Sequence, residues 1–174
     1  MIVAFDNTFL SLVFNPKTQP RPDPSTGNPV SHCRLRIEAL IDELSARGDS
    51  IIIPTPCLCE MLTAVPDSYK AIEYLDDSAA FRTESFDTKC AIGLADITRK
   101  AINAGDKKSG STLGWQEIKF DRQIAMIAHI NRARILYTDD EGQSKFAEEV
   151  GLEVKHTWNL DLPASHAQTK MDLQ

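Results

Sequence analysis

No run of apolar residues in this chain approaches the roughly 20 needed to span a bilayer, so no membrane association is expected. Cysteine chemistry is sparse. Cys33, Cys57, Cys59 and Cys90 form no C-x-x-C, only the C-x-C pair at 57 and 59. That spacing excludes a zinc knuckle and a thioredoxin motif. Buried, reduced thiols are the expectation, with a cytoplasmic compartment to match. On an extended strand Cys57 and Cys59 would share a face. His32, His129, His156 and His166 show no metal-binding spacing, and His129 is expected to be structural. There is no glycine-rich phosphate loop of the Walker type and no Ser-His-Asp signature. A basic surplus is missing too, since the formal net charge is −6. This argues against a passive nucleic-acid coat. It does not exclude a nuclease, because carboxylates that hold a metal count as negative although the ion offsets them. The N-terminus lacks a basic n-region, so no signal peptide is expected.

What is present fits one soluble globular domain: 174 residues, 42% hydrophobic and 25% charged. Residues 2–6 read as a short buried strand, and 7–14 as apolar helix or strand. Residues 15–30 hold five prolines and one glycine. Such a loop is long for a compact domain and marks a functional or mobile segment. Ser31 is placed to cap a helix carrying Leu35, Ile37, Leu40, Ile41 and Leu44, which Gly48 stops. Ile51-Ile52-Ile53-Pro54 is a second strand. Pro56 suits the first turn of a helix that bears Glu60. A short helix over 67–77, a strand over 81–86 and a helix capped by Asp87 follow. After a polar, glycine-rich loop at 105–114, a helix is expected to start near Asp121. Arg134–Thr138 is a strand, 141–150 a helix ended by Gly151, and a last strand begins at Leu152. This alternation predicts an α/β domain over residues 1–163, with a central mostly parallel sheet flanked by helices. The tail, 164–174, is polar and expected to fray.

Acidic residues recur where strands end or helices follow them. Asp6 interrupts an apolar stretch, and a carboxylate there is costly to bury unless it is paired or binds a cation. Asp6 and Asp139-Asp140 fall at strand carboxyl ends, where parallel sheets bind ligands. Glu60 and Asp121 lie on helices that can converge on the same edge. Four such carboxylates meeting at one edge would make a site for a hard cation.

The pattern resembles the PIN-domain nucleases, and within them the VapC-like toxins of toxin–antitoxin pairs. Asp6 in VAFDNTFL matches the family's first motif, Glu60 in IIIPTPCLCEML the second, and Asp121 in KFDRQIAMIAHIN the third. RILYTDDEGQSKFAEEVGLEV matches the fourth, with Asp140 on the family's Asp, Thr138 as its polar neighbour and Asp139 at the variable position between. The motifs come in the family's order over nearly the whole chain. The 15–30 insert is longer than compact toxins carry. The first motif reads Asp6-Asn7-Thr8, where a hydroxyl often comes first.

The resemblance implies a single PIN-like domain and a divalent-metal phosphodiesterase that acts on RNA. Its cofactor would be Mg²⁺ or Mn²⁺, held by Asp6, Asp121, Asp140 and Glu60, with Thr138 aiming a carboxylate. A cognate antitoxin and a homodimer are the implied partners. Lys107, Lys108, Lys119 and Arg122 are candidate contacts to RNA phosphates, and Trp115 a candidate for stacking on a base. Two other readings compete. A phosphatase of the haloacid-dehalogenase type needs a second Asp two residues after the first, where this chain has Thr8. A PIN fold without catalysis would serve as an RNA- or protein-binding module, against which the intact acidic set argues.

Overall fold

The computed structural model describes residues 1–163; the expected fraying of the tail lies outside the described residues. The described elements run β1 (Ile2–Phe5), α1 (Asn7–Phe14), α2 (Cys33–Ala46), β2 (Ser50–Pro54), α3 (Thr55–Ala64), α4 (Ser68–Asp77), β3 (Phe81–Glu84), α5 (Thr88–Asn103), α6 (Trp115–Ile130), β4 (Ile135–Tyr137), α7 (Glu141–Glu149) and β5 (Glu153–Lys155). A 3₁₀ turn at Thr157–Asn159 follows.

The five strands form one sheet in the order β3-β2-β1-β4-β5, and every pairing is parallel. The mostly parallel sheet read from the sequence is thus parallel throughout. Both faces are covered, which explains why the strands read as continuous apolar runs rather than alternating ones. Val3, Phe5, Ile51 and Ile53 point into a core shared with α1 and α2. Ala4, Ile52 and Leu136 point the other way, into a core built with α6 and α7. Successive side chains of a strand alternate faces, so one four-residue strand feeds both layers.

The chain builds outward from β1 through β2 to β3, then returns to the other side of β1 for β4 and β5. Strand order therefore reverses between β1 and β4. The crevice outside the carboxyl ends at such a switch point is where open α/β sheets bind ligands. Asp6 follows β1 there, and Thr138 to Asp140 follow β4.

Several local expectations are corrected. Residues 7–14 are helical, with Asp6 accepting hydrogen bonds from Thr8 and Phe9 N–H as the cap. The cap of α2 is His32, at φ +54°, and not Ser31. Of the four thiols expected buried, Cys59 is exposed: it rides on α3 two residues after buried Cys57, and a two-residue step on a helix turns the side chain to another face. The α6 helix begins at Trp115, capped by the backbone of Gly114, so Asp121 lies inside it rather than opening it. His129 is exposed on that helix.

Beneath the carboxyl edge, Phe5, Phe9 and Tyr137 form a ring cluster with centroids 5.3–5.4 Å apart. Phe9 is fully buried. Phe9→Ala should lower the unfolding free energy by about 3–5 kcal/mol, the usual cost of a large aromatic deletion that leaves a cavity. Urea denaturation checks this; a change under 1 kcal/mol would show that the cluster does not support the edge.

Candidate functional site

The site grows from Asp6. Its carboxylate is 4% exposed and almost fully bonded. One oxygen, Oδ1, accepts from Thr8 N–H (2.9 Å), Thr8 Oγ1 (2.6 Å) and Phe9 N–H (3.2 Å). The other, Oδ2, accepts from Thr138 Oγ1. The two hydroxyls that donate to Asp6 themselves accept from the next strand exit. Asp139 N–H donates to Thr8 Oγ1 and Asp140 N–H to Thr138 Oγ1, each at 2.9 Å. Asp6 thereby sets the path of the chain as it leaves β4.

The adjacent aspartates after β4 part company. Asp139 turns inward, where its carboxylate accepts from Thr157 N–H (2.8 Å) and Thr157 Oγ1 (2.7 Å), tying β4 to the 3₁₀ turn. Asp140 faces the cleft and caps α7 through Gln143 N–H at 3.0 Å. Asp121, on the second turn of α6, has its backbone carbonyl gripped by Gln143 Nε2 at 3.0 Å. Gly142 lets Asp121 and Asp140 come together. A Cβ there would sit 3.2 Å from Asp140 Oδ1 and 3.3 Å from Asp121 Oδ2.

Asp6, Glu60, Asp121 and Asp140 line one cleft of about 390 Å³, with Thr8, Glu117 and Gln143. Thr138 stands behind it, fully buried. Burial pushes the Asp6 carboxyl up to about 6, against the lowering pull of the Thr138 and Thr8 hydroxyls. Burial, then the negative charges of Asp140, Glu117, Asp6 and Glu60, push Asp121 up to about 7. Glu60 is exposed overall, yet partial desolvation raises its carboxyl. Burial likewise raises Asp139.

The donor set suits a hard cation. Apart from Phe120 and Ile124, the side chains lining the cleft offer oxygen or nitrogen, and the one nearby thiol is withdrawn. Cys57 is fully buried, and burial, then the Asp6 and Glu60 charges, hold it well above the usual thiol range. Gln143 Oε1 is buried without a donor, a place for a water carried by an ion. Among the described residues no group of three or more His, Cys, Asp or Glu side chains is placed so that it could hold a metal ion. Mg²⁺ does not need one, since it keeps several waters and takes one or two carboxylates.

Some features of the site carried no signal in the sequence. The proline-rich insert, clasped by a bridge between Pro22 and Pro29, carries Arg21 to the cleft rim, where Nη2 donates to Asp140 Oδ2 at 2.9 Å. Both partners are about a third or more exposed, so solvent screens the pair to about 0–1 kcal/mol. Nothing in a proline-rich sequence says where it folds back. Thr8 was detectable, as a hydroxyl two residues beyond an acidic cap. Of the candidate phosphate contacts, Lys107 lies over the Trp115 ring at 4.0 Å and Lys108 Nζ donates to Leu113 O at 2.8 Å. Lys119 is half-buried on α6, and Arg122, expected on the surface flank, is buried.

No family model matches the sequence, and no curated protein matches it. Among solved structures, one chain of VapBC2 from Rickettsia felis, bound to a DNA fragment from their promoter, superposes with a TM-score of 0.55. The identity is 17%, over 90% of this chain and 98% of that one. The chain has a PIN-like α/β fold. The likeness is one of fold, and the carboxylate cleft lies at the switch point of that PIN-like sheet.

The cleft generates two tests. Folded metal-free protein holds protons on Asp6 and Asp121 up to about pH 6 and 7, while unfolded carboxyls release theirs near 3.8. The folded form therefore binds more protons in this window, and stability is lost as pH rises through it. The lowered Asp23, Asp49, Asp87 and Asp96 act below 3.8 and leave the window clear. In chelator, Tm should fall between pH 5 and 8, and Asp121→Asn should flatten the slope. A Tm that rises across that range in the parent protein would contradict the assigned burial.

Gly142→Ala should cost about tenfold in divalent-ion affinity by calorimetry, because the new methyl crowds Asp121 and Asp140. Unfolding free energy should stay within about 1 kcal/mol, since Ala favours the helix. Unchanged ion affinity would mean that the two carboxylates do not act together.

Proposed function

We propose that this protein is a divalent-metal-dependent endoribonuclease with the PIN-like fold, and the toxin of a toxin–antitoxin pair. One observation carries the reading: four acidic side chains from four separate elements converge on one cleft at the sheet's switch point, at a cost visible in the raised Asp6 and Asp121 carboxyls. Carboxyls raised by burial, and in Asp121 also by neighbouring charges, are candidates for chemistry when they sit in a cleft. The four-motif order of the PIN-domain nucleases and the structural likeness to VapBC2 support the same class.

In this reading Asp6 and Asp121 hold Mg²⁺ or Mn²⁺, with Asp140 beside them and Glu60 binding through water or orienting the attacking water. When bound, the ion supplies a more acidic water and offsets charge on the phosphate and the leaving oxygen. The chain's own part is positional. Thr8 and Thr138 clamp Asp6 in one rotamer, so its direction is set before an ion arrives. Gln143 holds α6 to α7 through the Asp121 carbonyl, which fixes the approach of Asp121 to Asp140. Asp140 turns one oxygen to the α7 cap and the other to Arg21, so it would help hold an ion only in exchange for Arg21. Asp139, spent on Thr157, takes no part in this reading.

The antitoxin is proposed from the resemblance to VapC-like toxins and from the neighbour, VapBC2 bound to a DNA fragment from their promoter. A homodimer and a cytoplasmic setting complete the proposal. No helix among the described residues is long and apolar enough to cross a membrane.

The test is cleavage of a mixed pool of single-stranded and structured RNA by purified protein, with Mg²⁺, with Mn²⁺ and with chelator. Metal-dependent cutting should fall by at least about 10²-fold in Asp6→Asn and in Asp121→Asn, the scale of losing a group that acts only in the transition state. Cutting that survives in chelator, or in both variants, would sink the assignment. Metal binding by the parent without cutting would favour a PIN-like fold used for binding.

A further inference from the structure

A second cleft, about 360 Å³, opens beside the acidic one and shares Arg21, Glu117, Asp121 and Asp140 with it. Its other walls are the polar loop Ser109 to Leu113 and the start of α7. Arg122 lines it from α6. The state of that arginine is unusual. It is 1% exposed, and among the described residues it has no carboxylate partner. Its Nε and Nη1 are buried without an acceptor. Nη2 has one, Ser109 Oγ at 3.0 Å. The guanidinium lies between the Trp115 and Phe146 rings, 5.6 and 5.1 Å from their centroids.

A buried cation with two idle donors is costly unless something compensates it. The rings offset part of the charge, but rings leave N–H donors in the guanidinium plane unserved. Of the four carboxylates lining the cleft, Asp140 pairs with Arg21 and Glu141 with Lys145, while Glu117 and Asp121 have no ion pair among the described residues. Lys108, on the rim, has only the Leu113 carbonyl among the described residues. None of these carboxylates reaches the Arg122 Nε and Nη1, which are left for a ligand with several acceptor oxygens. Phosphate meets that need, and arginine's planar fork suits it. Ser111 and Thr112 add hydroxyls on the same wall.

We propose that this cleft is a phosphate subsite, with Arg122 as its buried cation, that receives a backbone phosphate of the RNA strand next to the bond lying in the acidic cleft. This deepens the nuclease reading and rests on it. The shared wall of Asp121 and Asp140 makes the two clefts one continuous path, acidic where an ion would offset charge and joined by Lys108, Arg122 and Lys145 where the strand continues. Ser109, on an exposed loop at φ +51°, is the protein acceptor that a phosphate oxygen would join or replace.

The experiment is binding of a short fluorescent single-stranded RNA by anisotropy in chelator, at two salt concentrations. Inorganic phosphate and a nucleoside 5′-monophosphate serve as competitors. Arg122→Met keeps the apolar stem between the rings, and Lys108→Glu changes an exposed rim residue, which decides the matter if Arg122→Met fails to fold by circular dichroism. RNA affinity should fall about tenfold in Arg122→Met and about fivefold in Lys108→Glu, and the slope of log affinity against log salt should drop by about one in each. Unchanged affinity and slope in the folded variants overturn the subsite, and if the parent still cuts RNA the nuclease reading stands without it. Arg122-dependent binding of the small phosphates by a parent that neither binds nor cuts RNA upholds a phosphate site and overturns its assignment to an RNA strand. Binding of neither overturns the proposal outright.

Discussion

The carboxylate of Asp6 is the constraint around which the rest is arranged. It sits at the exit of the central strand with almost no access to solvent, and it is held by two threonine hydroxyls and two backbone amides. Those hydroxyls then take the amides of Asp139 and Asp140, so the exits of β1 and β4 are locked to each other through one side chain. The lock also sorts the two aspartates, sending one into the core and the other to the cleft. Stability alone does not explain keeping a charge there, because burial raises the Asp6 carboxyl to about 6 in spite of its donors. A group of that kind suits a site that waits for a cation.

Around this anchor the electrostatics divide. The carboxylates of α3, α6 and the β4 exit crowd one side, and burial, then their repulsion, raises Asp121. On the other side, an arginine lies under a polar loop with donors to spare. Arg21 stands at the boundary, brought by the proline-rich insert and resting on Asp140. The exposed pair is weak enough to exchange for an ion or a phosphate. The insert therefore gives the cleft an exposed cation, whereas Arg122 is a buried one.

The sequence made the sheet legible because both of its faces are buried, so Ile2–Phe5, Ser50–Pro54 and Ile135–Tyr137 stand out as apolar runs. Asp6 was legible for the same reason: a carboxylate at the end of such a run is expensive. The start of α6 was misread because residues 115–120 present little apolar periodicity, and a glycine cap leaves no side-chain signal. Cys59 was expected buried from its residue type alone, and the turn of α3 instead carries it to the surface. Arg21 and Arg122 could not be placed at all. One depends on where a long loop folds back, and the other on two aromatic rings that meet only in the tertiary structure.

The most direct measurement is an anomalous difference map from crystals grown with Mn²⁺. The account predicts a peak in the cleft within about 2.2 Å of Asp6 and Asp121 carboxylate oxygens, with waters completing the shell. A well-ordered cleft with no peak, or an ion bound only elsewhere, would contradict it.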